Sequence, residues 1–262
     1  IIWYPEGLLG EDCLVGMDKD RLFETTGVIS TRNEWYDQNG ISLLAKGGTP
    51  NVNHGHSDIG TFVIDCGGER FFSELGADSY NLEKYIGSDW YYRKRAEGHN
   101  TIVINPEEKD AQNNKFAPVK MQSKPRGSIS VIDMQPVYDE YAESMKRGFW
   151  FTDNRQTIVI RDEIKLYSKG QVYWFAHTPA DIELTDNSKG AVLTIGSQKM
   201  YAALLTDKAK FSVMDAEPLS TSPQKPLQTP NPDYKKLTVY LEDFLEGDIT
   251  VVLMPINSDG KL

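Results

Sequence analysis

Three of the chain's four histidines gather around one loop: His54 and His56 in NHGHSDIGTF (residues 53–62), and His99 in GHNTIVINP. Imidazole titrates nearer neutral pH than other side chains and is the commonest nitrogen ligand for metals. Scarce histidines set beside glycine and a carboxylate point to proton transfer, metal binding or both; core packing requires neither. If residues 53–59 run extended, side chains two apart share a face, and His54, His56 and Asp58 point the same way. Zinc takes about four ligands from His, Cys and carboxylate. His56 and His99 can supply two, and a carboxylate from the 58–74 hairpin can supply a third. The fourth histidine, His177 in YWFAHT, takes the ordinary reading of a lone histidine, a surface residue or a hydrogen-bonded core residue.

The elements that must position these side chains read as strands. Short apolar or alternating runs bounded by Gly, Asn and Asp recur through the chain. They are TGVISTR, ISLLAKGG, GTFVIDC, ERFFSEL, HNTIVINP, GSISVIDM, RGFWFTD, QTIVIRDEI, QVYWFAHT, AVLTIGS, MYAALLT, AKFSVMD, KLTVYLE and DITVVLMP. Gly67-Gly68 between the third and fourth is a two-residue hairpin signal. With no convincing long amphipathic helix, the expected fold is all-β: a large antiparallel sandwich of stacked sheets. Residues 77–98, ADSYNLEKYIGSDWYYRKRAEG, break the alternation and read as a long Tyr/Trp-rich loop of the kind that often carries function. A second loop, 217–236, holds five prolines and reads as surface.

Composition sets the outer bounds. At 262 residues, 39% hydrophobic and 25% charged, the chain can bury a full core, and residues 1–262 read as one domain. A formal charge of −10 argues against nucleic acid, which is bound by neutralising phosphates. A local basic cluster such as Arg93-Lys94-Arg95 can still attract an anionic ligand. Cys13 and Cys66 decide nothing about redox compartment. No apolar run is long enough to cross a bilayer. The opening IIWYPEGLLG lacks the basic start and small-residue cleavage site of a signal peptide, so it reads as the interior of a longer chain.

Two families place histidines in this way. The cupin pattern needs a Glu within about one strand turn of the His-x-His pair, and here none appears before Glu69. By contrast, NHGHSDIGTFVID, FFSELGADSYN, WYYRKRAEGHNTIVINP and RGFWFTDNRQTIVIRDEI, in that order, resemble the β-sandwich half of the heparinase II/III-like polysaccharide lyases. That resemblance implies an N-terminal α/α toroid, with an anionic polysaccharide bound between toroid and sandwich. It implies β-elimination at a uronic acid, in which a base removes the C5 proton and an acid protonates the leaving oxygen at C4. It implies a mainly structural metal, expected to be Zn2+, on His56, Glu74 and His99, with Glu74 where much of the family has Asp. It makes His54 the acid/base or carboxylate partner, joined by a loop tyrosine, Tyr80 or Tyr85. Asp58 is then the natural carboxylate to orient a ligand histidine. Arg93 and Arg95 are candidates to guide the acidic glycan, and Trp90 to stack on a sugar ring. A periplasmic or secreted location follows from the same likeness. The alternative is a non-catalytic, metal-stabilised sandwich that binds acidic glycan or serves as a structural partner domain.

Overall fold

The computed structural model describes residues 16–35, 37, 39–78, 91–107, 109–224 and 228–256. Within them β1 (Asp20–Phe23), β2 (Val28–Arg32), β3 (Ile41–Lys46), β4 (Phe62–Cys66) and β5 (Glu69–Phe72) form one antiparallel sheet in chain order. Gly67 and Gly68 join β4 to β5 with φ of 61° and 80°, the paired left-handed geometry that a tight hairpin asks of glycine.

The remaining strands form a ten-stranded antiparallel sheet. They are β6 (Ile102–Ile104), β7 (Val119–Lys124), β8 (Gly127–Asp133), β9 (Ala142–Thr152), β10 (Thr157–Thr178), β11 (Asp181–Thr185), β12 (Gly190–Ile195), β13 (Gln198–Leu204), β14 (Phe211–Asp215) and β15 (Lys235–Ile256). The main order is β11-β12-β13-β15-β10-β9-β8-β7, with β6 on β10 and β14 on β15. Two expected pairs of strands are in fact single strands. QTIVIRDEI and QVYWFAHT are both parts of β10, and KLTVYLE and DITVVLMP are both parts of β15. The ladder between β10 and β15 shifts register between Lys165 and Gly170 and again between Gly170 and Val172, and these irregularities read in sequence as a loop.

The sheets close on one core. Ile41, Leu43 and Ala45 alternate inward from β3, and Phe149, Phe151, Ile158 and Ile160 face them from β9 and β10. Phe62 of β4 meets Phe149 and Trp174 across the interface at ring-centroid distances of 6.1 and 5.9 Å. Of two buried ion pairs, Arg155 with Asp20 ties the turn after β9 to β1 of the other sheet, while Arg147 with Asp162 lies within the ten-stranded sheet. The proline-containing loop is not a free surface excursion. Leu219 packs on Ala96, Val103 and Phe175, and its N–H donates to Glu97.

Candidate active site and metal-ligating cluster

The site forms where the segment before β4 meets the segment before β6. Residues 53–59 are not a strand; β4 begins only at Phe62. Val52 N–H donates to Pro50 O (2.8 Å) and Gly55 N–H to Val52 O (2.9 Å), winding the chain into successive turns. His54 sits at φ 58°, and a Cβ on Gly55 would lie 2.0 Å from Pro50 O. Strand periodicity therefore does not set the two histidines side by side, because the chain is already turning there. The turns nonetheless bring His54 and His56 to one open cleft of about 710 Å3, whose walls include Lys94, Lys109, Gln112 and Asn113.

Deeper, Glu74 and His99 are joined. One Glu74 oxygen meets His99 Nδ1 and the other accepts from Thr61 Oγ1. Thr61 Oγ1 in turn accepts from Asn100 N–H at 3.2 Å, so the carboxylate, the hydroxyl and the His99 segment form one chain of contacts. Burial pushes the Glu74 carboxyl up, but the charge and hydrogen bond of His99 and the bond from Thr61 bring it down to about 2. Burial opposes the charged form of His99, yet Glu74 outweighs it and the ring is raised above its usual value. His56 lies with its ring centroid 5.2 Å from that of His99. Burial and then the neighbouring His99 charge lower His56 to about 4, which leaves it a neutral imidazole with a lone pair at neutral pH.

These residues can be weighed against the expected metal. His99 Nε2 is buried and has no hydrogen-bond partner among the described residues, while Nδ1 is held by Glu74. A carboxylate fixing one nitrogen of a histidine and leaving the other bare is the arrangement that orients a metal ligand. The histidine pair thus fits two nitrogen donors. Among the described residues no three His, Cys, Asp or Glu side chains stand together as a ready metal-binding group. Glu74 is engaged with His99 and Thr61, so ligation by it requires release of one of those bonds.

The other expected residues fall variously. Asp58 pairs with Lys46 of β3 through both oxygens at 2.6 Å and makes no bond to a histidine. Arg93 is tied to Asn231 Oδ1 at 2.6 and 3.0 Å and to Ala77 O at 3.1 Å. Arg95 is buried, with Nη2 donating to Glu107 O at 2.6 Å, so it ties the segment before β6 to the one that follows it. Tyr80, Tyr85 and Trp90 lie outside the described residues.

Sequence reasoning passed over Asn100, the hub of the cluster. Its Nδ2 donates to Phe62 O (2.7 Å) and Ser73 O (3.1 Å), while Oδ1 accepts from His177 N–H at 2.6 Å. Those donors fix the amide's orientation, so His177 Nδ1, 3.1 Å from Oδ1, carries the proton. His177 Nε2 then accepts from Tyr92 Oη at 2.7 Å. Burial, followed by the nearby Lys236 charge, holds His177 well below its usual pKa, as expected for a neutral core histidine. The available signal for Asn100 was its place between His99 and Thr101 at the mouth of β6.

This two-sheet sandwich, with His54 and His56 lining an open cleft, defines the class of protein. The match to the family described as heparinase II/III-like, C-terminal, runs over residues 18–239, and the chain belongs to that family. Among solved structures, a heparinase III is similar at 19% identity and TM-score 0.71, covering 92% of this chain and 36% of that one. A heparan sulfate lyase from Pedobacter heparinus is similar at 14% identity and TM-score 0.74, covering 91% and 36%. The chain thus spans about a third of the length of these structures. Among curated proteins no match was found. Among the described residues no helix is long and apolar enough to cross a membrane.

Proposed function

We propose that the chain is the β-sandwich part of a polysaccharide lyase that cleaves a uronic-acid-containing, anionic polysaccharide by β-elimination. The observation that carries this reading is His54 at the cleft beside the partly buried Glu74–His99–His56 cluster, in a chain of this family. An imidazole at the cleft can exchange a proton with the sugar or support its carboxylate. Lys94 and Lys109 among the lining residues suit an anionic glycan. The complementary wall is an α/α toroid, by family, and supplies further groups that neutralise the uronate. A loop tyrosine, Tyr80 or Tyr85, serves as the second proton-transfer group.

The metal, Zn2+, belongs to His56 and His99, with Glu74 as the carboxylate of the set. The bare Nε2 of His99 and the neutral state of His56 support that assignment. When bound, the ion supplies a rigid tie between the turn before β4 and the loop before β6, and so fixes where His54 stands. The protein's own residues do the remaining work: Glu74 keeps its bond to His99 and would exchange the one from Thr61 on ligation, while Asn100 holds the loop. A periplasmic or secreted location accords with the family. The test is the full-length protein on a panel of uronic-acid polysaccharides, followed by absorbance of the unsaturated product. Product on at least one of them is expected, and none on any would reject the reading.

A further inference from the structure

Two phrases that carry the family likeness, RGFWFTD and IVIRDEI, have no role in the site as described so far. Arg147 begins the first and Asp162 lies in the second, directly opposite it across the β9–β10 ladder. Both are fully buried. Arg147 Nε and Nη2 donate to the two Asp162 oxygens at 2.7 and 2.8 Å. Its Nη1 points the other way, donating to Gly60 O at 2.7 Å and to Asn100 O at 2.8 Å. Gly60 lies in the Asp58–Thr61 turn, four residues after His56 on the same segment, and Asn100 directly follows His99. One guanidinium thus holds both histidine-bearing segments against the ten-stranded sheet.

We propose that Arg147, aligned by Asp162, is the positioning residue that sets His56 and His54 in register with His99. This inference rests on the lyase reading for its activity test, but not for its spectroscopic one. A planar fork reaches two carboxylate oxygens and two carbonyls at once; a lysine ammonium has three donors on a flexible stem and cannot keep that geometry. The competing view is that Arg147 merely closes the core. The molecule contains its own control for that view. Arg155, in the turn between β9 and β10, and Asp20 of β1 form a second buried ion pair, in which Arg155 donates to the carbonyls of Arg32, Lys124, Pro125 and Gly127. Neither of those two residues touches a histidine segment.

The experiment compares Arg147→Met/Asp162→Leu with Arg155→Met/Asp20→Leu in the full-length protein. Removing both partners of a buried pair avoids the uncompensated charge that a single substitution leaves. Two readouts are taken: long-range proton–nitrogen NMR spectra of the His56 and His99 rings, and kcat and KM on the polysaccharide that is cleaved. For the Arg147 pair, the Glu74-bonded His99 Nδ1 signal is expected to shift or broaden. Turnover should fall about 10²-fold with KM little changed, as a misplacement near 1 Å produces. For the Arg155 pair, both readouts should match wild type at equal or lower melting temperature. Should the Arg147 double variant not fold, Arg147→Lys decides by the same readouts. Wild-type imidazole spectra and turnover in a folded Arg147 variant would overturn the proposal. A wild-type protein without lyase activity would instead reject the lyase reading, and the imidazole spectra would still decide the role of Arg147.

Discussion

His54 and His56 are separated by one residue, yet their surroundings differ. His56 is partly buried, neutral and beside the bare Nε2 of His99, whereas His54 is exposed on a left-handed turn at the cleft. Under the zinc assignment, His56→Ala should abolish most of the one equivalent of metal expected by elemental analysis and lower the melting temperature. His54→Ala should leave metal and melting temperature unchanged. Loss of metal in His54→Ala would make both histidines ligands. A second residue-scale expectation concerns Lys236, which is fully buried beneath Phe175 and Tyr92, with Nζ donating to Glu217 O. Burial lowers its pKa to about 8, against 10.5 when unfolded. Between those values the unfolded chain binds more protons, so stability contributed by this site rises with pH through that window and is flat below it. Measured as wild type minus Lys236→Met in urea, the gain from pH 7.5 to 10.5 should be about 1–3 kcal/mol. A flat difference would mean that Lys236 is solvated in the native state.

At the scale of elements, the site depends on turns that strand periodicity does not describe. Gly55 is the sharpest case, since any Cβ there meets the Pro50 carbonyl at 2.0 Å. Gly55→Ala should destabilise by about 1–3 kcal/mol in denaturant unfolding and disturb the cleft, because the obstacle is backbone rather than a side chain that can swing away. An Ala variant with wild-type stability would show that the turn relaxes freely. The same contrast explains what the sequence revealed. Alternation located most strands, and Gly67-Gly68 located the β4–β5 hairpin, because half-buried strands and left-handed glycine turns leave local marks. The motif phrases named His56, Glu74 and His99, and the structure bonds Glu74 to His99 and sets the His56 ring 5.2 Å from that of His99. The inference that His54 and His56 share a strand face failed, because a turn stabilised by Pro50 and Val52 carbonyls has no period of two. Asn100, Thr61 and Arg147 were not singled out, since their roles lie in bonds to carbonyls and side chains far away in sequence. The bent strands β10 and β15 were divided in two for a related reason, their bulges imitating loops.

For the whole molecule, the histidine-bearing sandwich spans 36% of the length of two similar structures, and under the proposed reading it is one wall of the substrate cleft. If the toroid contributes the groups that neutralise the uronate, purified residues 1–262 should fold and bind zinc but show little or no lyase activity. Full activity from this chain alone would place all of the catalytic groups within the sandwich. The most direct measurement of the central claim uses the full-length protein and its His54→Ala variant on uronic-acid polysaccharides, with ultraviolet absorbance reporting the unsaturated uronate. Wild type should generate that product, and the variant should do so about 10²–10⁴ times more slowly, as loss of an acid–base group requires. Equal rates in the two proteins, or no unsaturated product from either, would contradict the assignment of His54 to β-elimination.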